Sequence, residues 1–235
     1  MPTAQSPRHP RRLASLVCSL VAFGAAGCAP LPYVLTDMKE KIVGIDVALE
    51  PDAALVDRTH APEARITLVR SFIRSTDVHS LSAAVAHVLA TTDLEGMNLR
   101  ASGYQSGNWN GTSGTALTVD ASPELRRLEE QMVAAVSPFI LNTETARDFI
   151  VTADGSAMHG SAIDAIDHFV PESSGVNYRP HVIASSMQGD TAKRAQSQPF
   201  EAFTFRPVGV SMYRIGGDGQ SRRLLWKWNG EPGAK

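Results

Sequence analysis

Two short runs carry side chains that can handle a proton and a phosphate. Asn177–Ser185 reads NYRPHVIAS and sets His181 between Pro180 and Val182, while Ala64–Ser71 reads ARITLVRS and sets Arg65 two residues before Thr67. A histidine titrates near pH 6.5 and can give or take a proton at neutral pH, whereas an arginine, with a pKa above about 12, cannot. Arginine instead grips a phosphate through two parallel charge-assisted bonds. On a pleated strand, positions i and i+2 point to one face, so Arg65 and Thr67 can reach the same group. Taken singly, His181 also fits a satisfied histidine on a half-buried strand, and Thr67 an ordinary strand threonine. His60, five residues before Arg65, is a second imidazole that a looped chain could bring to the same place. His79 and His87 fall on a predicted amphipathic helix and read as surface residues, while His159 and His168 lack ligand-like spacing. No metal site is expected.

Together the two runs resemble the paired motifs of the 2H phosphoesterase superfamily, which includes the 2′-5′ RNA ligase-like and cyclic phosphodiesterase families. The family pattern is a His-hydrophobic-Thr-hydrophobic tetrad on a strand, once in each half. Here the first tetrad is Arg65-Ile66-Thr67-Leu68 and the second is His181-Val182-Ile183-Ala184, and Pro199–Trp228 looks like the family's closing strands. The resemblance runs from about Ile42 to Trp228. It implies an α+β fold of two pseudo-symmetric lobes, each an antiparallel sheet with outer helices, around a central cleft where the tetrads face each other. It also implies acid–base work on a cyclic or linear phosphodiester of a small nucleotide or RNA end. His181 is then acid or base, and Thr67 and Arg65 hold the phosphate with it; no metal or cofactor is implied. Two positions depart from the pattern: Arg65 stands in the His position and Ile183 in the Thr position. Losing one member of an acid–base pair commonly removes a factor of about 10²–10⁴ in rate. Activity is therefore expected to be weakened or lost unless His60 serves as the second catalytic proton carrier.

The elements that must position these residues alternate along the chain. Lys41–Leu49 and Arg65–Ile73 read as strands, with a short helix over Asp52–Arg58 between them. Ser75 or Thr76 is expected to cap a helix through about Leu89, since Val78, Leu81, Val85 and Leu89 fall on one face. Strands near Asn98–Gln105 and Thr115–Asp120 flank a loop, Ser106–Gly114. Ser122 followed by Pro123 starts a helix that runs to Pro138. Phe149–Thr152 reads as a strand, Ala162–Phe169 as a helix, Pro180–Ser186 as a strand and Thr191–Ala195 as part of a helix. Strands near Phe203–Phe205, Val208–Tyr213 and Leu224–Trp228 close the chain.

The N-terminus speaks to compartment. Arg8, Arg11 and Arg12, with no acidic residue, precede an apolar run from Leu13 to Ala26, then Gly27 and Cys28. That is the order of a signal peptide. The run is short against the about 20 apolar residues that a permanent span needs. Ala26-Gly27 before Cys28 resembles the lipobox of bacterial lipoproteins, with Ala25 where leucine is usual. The expected organisation is a signal over 1–27, a lipidated Cys28 opening a spacer over 28–40, one phosphoesterase-like domain over 41–229 and a tail over 230–235. Cys18 lies in the signal, so the mature chain keeps no cysteine for disulfide or thiol chemistry. Three of the 22 basic residues leave with the signal and none of the 24 acidic ones, so the net charge falls from −2 to about −5. Such a surface gives no general attraction to nucleic acid. The expected setting is the bacterial cell envelope, lipid-anchored, periplasmic or outward-facing, with the lipid bilayer as partner through Cys28 and a small nucleotide or phosphodiester as ligand. The alternative is a non-catalytic phosphate-ester-binding or structural envelope lipoprotein.

Overall fold

The computed structural model describes residues 41–109, 112–143, 147–183 and 199–228. The segments expected as signal, spacer and tail, Cys28, Ala184–Ser186 and the helix expected over Thr191–Ala195 lie outside the described residues. Among the described residues, eight strands form one sheet: β1 Ile42–Pro51, β2 Ile66–Arg74, β3 Leu99–Trp109, β4 Thr112–Val119, β5 His181–Ile183, β6 Phe203–Phe205, β7 Pro207–Ile215 and β8 Ser221–Trp228. Their spatial order is β6-β3-β4-β5-β2-β1-β7-β8, every pairing antiparallel. The architecture is α+β, and the sheet consists of two four-stranded halves that meet where β2 pairs β5 through Ile66↔Val182. The two motif strands are therefore neighbours at the centre of the sheet, although well over a hundred residues separate them in sequence.

The face opposite the motif side chains holds the main core. Val43, Ile45, Val47 and Leu49 of β1, Ile66, Leu68 and Val69 of β2 and Leu117 and Val119 of β4 pack there with helical residues. Those helices are α1 Ala53–Thr59, α2 Val78–Leu89 and α3 Pro123–Val136. α2 contributes Leu81, Val85 and Leu89, and α3 contributes Leu125, Leu128, Met132 and Val136, the periodic apolar positions of each sequence. Ser122 caps α3 as its Ser-Pro pair suggests, its Oγ accepting from the Leu125 N–H at 3.2 Å. A second cluster, Ile42, Phe72, Ile163, Ile166 and Ile215, plugs one end of the other face. It is supplied in part by α4, Gly160–Asp167, which is followed by α5, Phe169–Ser173.

Three expectations need correction. Neither Ser75 nor Thr76 caps α2: both lie in a single 3₁₀ turn, Ser75–Asp77, and the N-cap position falls to Asp77, which makes no side-chain cap bond. The strands on either side of Ser106–Gly114 reach further into that hairpin connection than expected, because the β3–β4 ladder continues through Ser106↔Thr115, Gly107↔Gly114 and Asn108↔Ser113 to Trp109↔Thr112. Ladder hydrogen bonds are made by the backbone, so the glycines and polar residues there can still pair. Phe149–Thr152 forms no strand; a 3₁₀ turn over Arg147–Phe149 leads to one isolated parallel bridge, Ile150↔Ile42.

Candidate functional site

Alternation and one irregularity decide which side chains share the face opposite the main core. The β1–β2 register slips between Val47 and Ala48, with Val47 opposite Val69 and Ala48 opposite Thr67. Leu68 is thus the extra residue of a bulge, which lets both Leu68 and Val69 enter the core. The slip brings Thr67 and Arg70, three apart, to the same side, where both meet Asp46 of β1. Across the central seam, Val182 pairs Ile66 and goes into the core, so His181 and Ile183 emerge on the face that carries Arg65 and Thr67.

His181 is half-buried on β5, opposite Thr118 of β4. Its Nδ1 lies 2.8 Å from the Arg179 carbonyl oxygen, which can only accept, so Nδ1 carries the proton and Nε2 is the acceptor nitrogen. Burial holds the imidazole below its ordinary pKa, and the nearby Arg70 charge adds to this, against opposing pulls from the Arg179 carbonyl and Asp46. A neutral imidazole with an acceptor Nε2 suits a general base better than a general acid.

Arg65 is held from two sides. Its Nε donates to the Glu63 carbonyl at 2.9 Å, and its guanidinium lies 4.2 Å from the centroid of the Tyr213 ring. Its Nη1 is buried and has no hydrogen-bond partner among the described residues. Tyr213 in turn donates its O–H to Glu50 at 2.7 Å, and burial together with that bond raises its pKa.

Beneath these residues lies a buried ion pair. The Asp46 carboxylate, 0% exposed, accepts from Arg70 Nη2 at 3.0 Å, from Thr67 Oγ1 at 3.4 Å and from Ser221 Oγ, all on Oδ2. Arg70, 5% exposed, also donates through Nη1 to the Gly219 carbonyl at 3.3 Å, tying the pair to the β7–β8 turn. Among the described residues, Asp46 Oδ1 and Arg70 Nε are buried without hydrogen-bond partners. Asp46 and Arg70 also act on His181 with opposite sign, which places all three within one electrostatic neighbourhood.

His181, Thr67 and Arg65 thus come together on one face. His60 stands at the C-cap of α1, solvent-exposed and left-handed at φ 51°. No hydrogen bond, ion pair or ring contact ties it to the other three among the described residues. Sequence reasoning missed Asp46, Arg70, Ser221 and Tyr213. The available signal was the lone charge in each apolar strand, Asp46 in IVGIDVAL and Arg70 in ITLVRSFI. Among the described residues, no group of three or more His, Cys, Asp or Glu side chains is placed to hold a metal ion.

No family model matches the chain, and no curated protein does. Among solved structures, E. coli LigT complexed with NADP+ is similar at 10% identity and a TM-score of 0.41, over 80% of this chain and 98% of that one. The apo form of E. coli LigT is similar at 9% identity and a TM-score of 0.37, over 80% and 97%.

Proposed function

We propose that this chain is an envelope lipoprotein of 2H phosphoesterase type. The sheet face that carries Arg65, Thr67 and His181 takes a phosphate ester of a small nucleotide or RNA end. The observation that supports the reading is the meeting of the two tetrads: β2 and β5 lie side by side at the centre of the sheet, with Arg65, Thr67 and His181 on one face. Arg65 is held by Glu63 and Tyr213 with its Nη1 buried and unpartnered among the described residues, so it must turn that prong outward to meet a phosphate oxygen, while His181 Nε2 takes a proton from an attacking water or hydroxyl. Thr67 Oγ1 now points its proton at Asp46, so to hold a phosphate oxygen it must turn from that long 3.4 Å contact.

An arginine serves as a charged donor and not as a general acid, so Arg65 brings charge and hydrogen bonds to the phosphate and leaves protonation of the leaving group to another carrier. Binding of the ester needs no second proton carrier, whereas turnover does. The test is 2′,3′-cyclic nucleotide turnover beside binding of the corresponding nucleoside 2′-monophosphate by calorimetry. Arg65→Ala is expected to weaken binding at least tenfold, because a charge-assisted bond contributes about 1.5–3 kcal/mol. Unchanged affinity in that variant would remove Arg65 from the site. Measurable turnover by the parent chain would make it an enzyme with His60 or a solvent acid as second proton carrier; binding alone would make it a carrier or sensor.

Anchoring through Cys28 is the other half of the proposal, supported by the charged, apolar and small-residue order before that cysteine. Among the described residues, no helix is long and apolar enough to cross a membrane. Cys28→Ala is expected to move the protein from the membrane fraction to the soluble or uncleaved pool and to abolish fatty-acid labelling. Continued labelling of that variant would end the lipoprotein reading.

A further inference from the structure

The two halves of the sheet, and the chemistry-bearing residues they carry, meet at a narrow seam. Among the described residues, one backbone pair, Ile66↔Val182, joins β2 to β5, while β1 and β2 are paired along eight positions. So small a ladder leaves the spacing between Thr67 and His181 to be set by other contacts. Tyr178 supplies one. It lies three residues before His181, is 2% exposed, and donates its O–H to the Thr67 backbone carbonyl at 3.0 Å. One side chain thus runs from the approach to the second motif to the backbone of the first.

Tyr178 is in turn held from below. It follows a 3₁₀ turn, Gly175–Asn177, whose Gly175 sits at φ +60°, in the left-handed region that favours glycine. Glu129 of α3, 0% exposed, accepts the Gly175 N–H through both carboxylate oxygens at 3.1 and 3.3 Å. Arg126, one turn earlier on α3, donates through Nη1 to the Gly175 carbonyl at 3.2 Å. A carboxylate is taken out of water only where the bonds it gains offset the desolvation. Glu129 gains them at the turn that aims Tyr178, and α3 itself packs against β2. The arrangement closes a loop: α3 grips the turn, the turn presents Tyr178, Tyr178 holds Thr67, and His181 follows three residues on.

We propose that Tyr178 is a positioning residue that fixes His181 relative to Thr67 across the seam, with Glu129 as its anchor on α3. The proposal rests on the phosphate-ester reading of this face for its functional meaning. Its geometric content does not depend on that reading.

The experiment uses the full chain, ¹⁵N-labelled, with Tyr178→Phe and Glu129→Gln. The first removes a single hydroxyl; the second keeps an acceptor oxygen for Gly175 and removes the charge. Two quantities are read: the His181 imidazole and Thr67 amide resonances, and the affinity for a nucleoside 2′-monophosphate. Tyr178→Phe is expected to displace both sets of resonances and to weaken binding about tenfold, with secondary structure by circular dichroism unchanged. Glu129→Gln is expected to move the same resonances in the same direction by less. If Tyr178→Phe lowers thermal stability while the His181 and Thr67 resonances stay in place, the hydroxyl is a packing bond and the proposal falls. Should Tyr178→Phe fail to fold, the resonances of Glu129→Gln decide in the same way. If the parent chain itself does not bind the monophosphate, the phosphate-ester reading falls, and displaced resonances in the variants still sustain the positioning of His181 by Tyr178.

Discussion

Asp46→Ala is expected to destabilise the folded chain by about 3–5 kcal/mol, because it leaves the Arg70 guanidinium buried without its counter-ion. Arg70 is 5% exposed and Asp46 0%, so water cannot enter to replace the lost partner without opening the β7–β8 turn that Arg70 also holds through Gly219. Ser221 and Thr67 would lose their acceptor in the same step. Against a total stability of about 5–15 kcal/mol for an ordinary domain, a loss of that size leaves little margin. Chemical denaturation measures it directly, and a loss under about 1 kcal/mol would show that the pair is solvated in practice. Replacing both partners by apolar residues of similar volume is expected to recover much of the loss, since a buried pair is costly chiefly when half of it is removed. Recovery of stability without recovery of phosphate-ester binding would separate the two roles of the pair, one in folding and one in tuning the field around His181.

The same pair shows where sequence reasoning stops. The strands carrying the motifs were legible because β-branched runs mark strands and because the two tetrads resembled a known pattern. The helices on the far face were legible from apolar residues at spacings of three and four. What could not be read was the bulge at Leu68. A strict period of two puts Thr67 and Arg70 on opposite faces, and only an extra residue in the ladder brings them together on Asp46. Tyr178 was hidden for a different reason. Its partner is a backbone carbonyl, which leaves no trace in the partner's side-chain identity. His60 marks a third limit: its distance along the chain from Arg65 said nothing of direction, and the αL turn at the end of α1 leaves it exposed to solvent.

His181→Ala is expected to lower any phosphodiester turnover by about 10²–10⁴, the usual contribution of one positioned acid or base. The pH dependence gives this prediction its edge. Burial first, then the Arg70 charge, hold His181 below its ordinary pKa, so the neutral base persists to a lower pH than a solvated histidine would allow. The acid limb of the rate profile is thus expected below about pH 6.5, and Arg70→Leu, which removes the cationic neighbour, is expected to move that limb upward. The sign for stability follows from the same displacement. An unfolded chain binds the His181 proton at higher pH than the folded one, so this residue's effect vanishes well above pH 6.5 and destabilises the fold as pH falls through about that value. Removing the imidazole therefore lowers activity at every pH while relieving part of the acid-side loss of stability. Opposite signs for activity and acid stability in one variant belong to a buried functional base; a surface histidine would change neither, and an acid limb at or above pH 6.5 would place His181 in water rather than in the site.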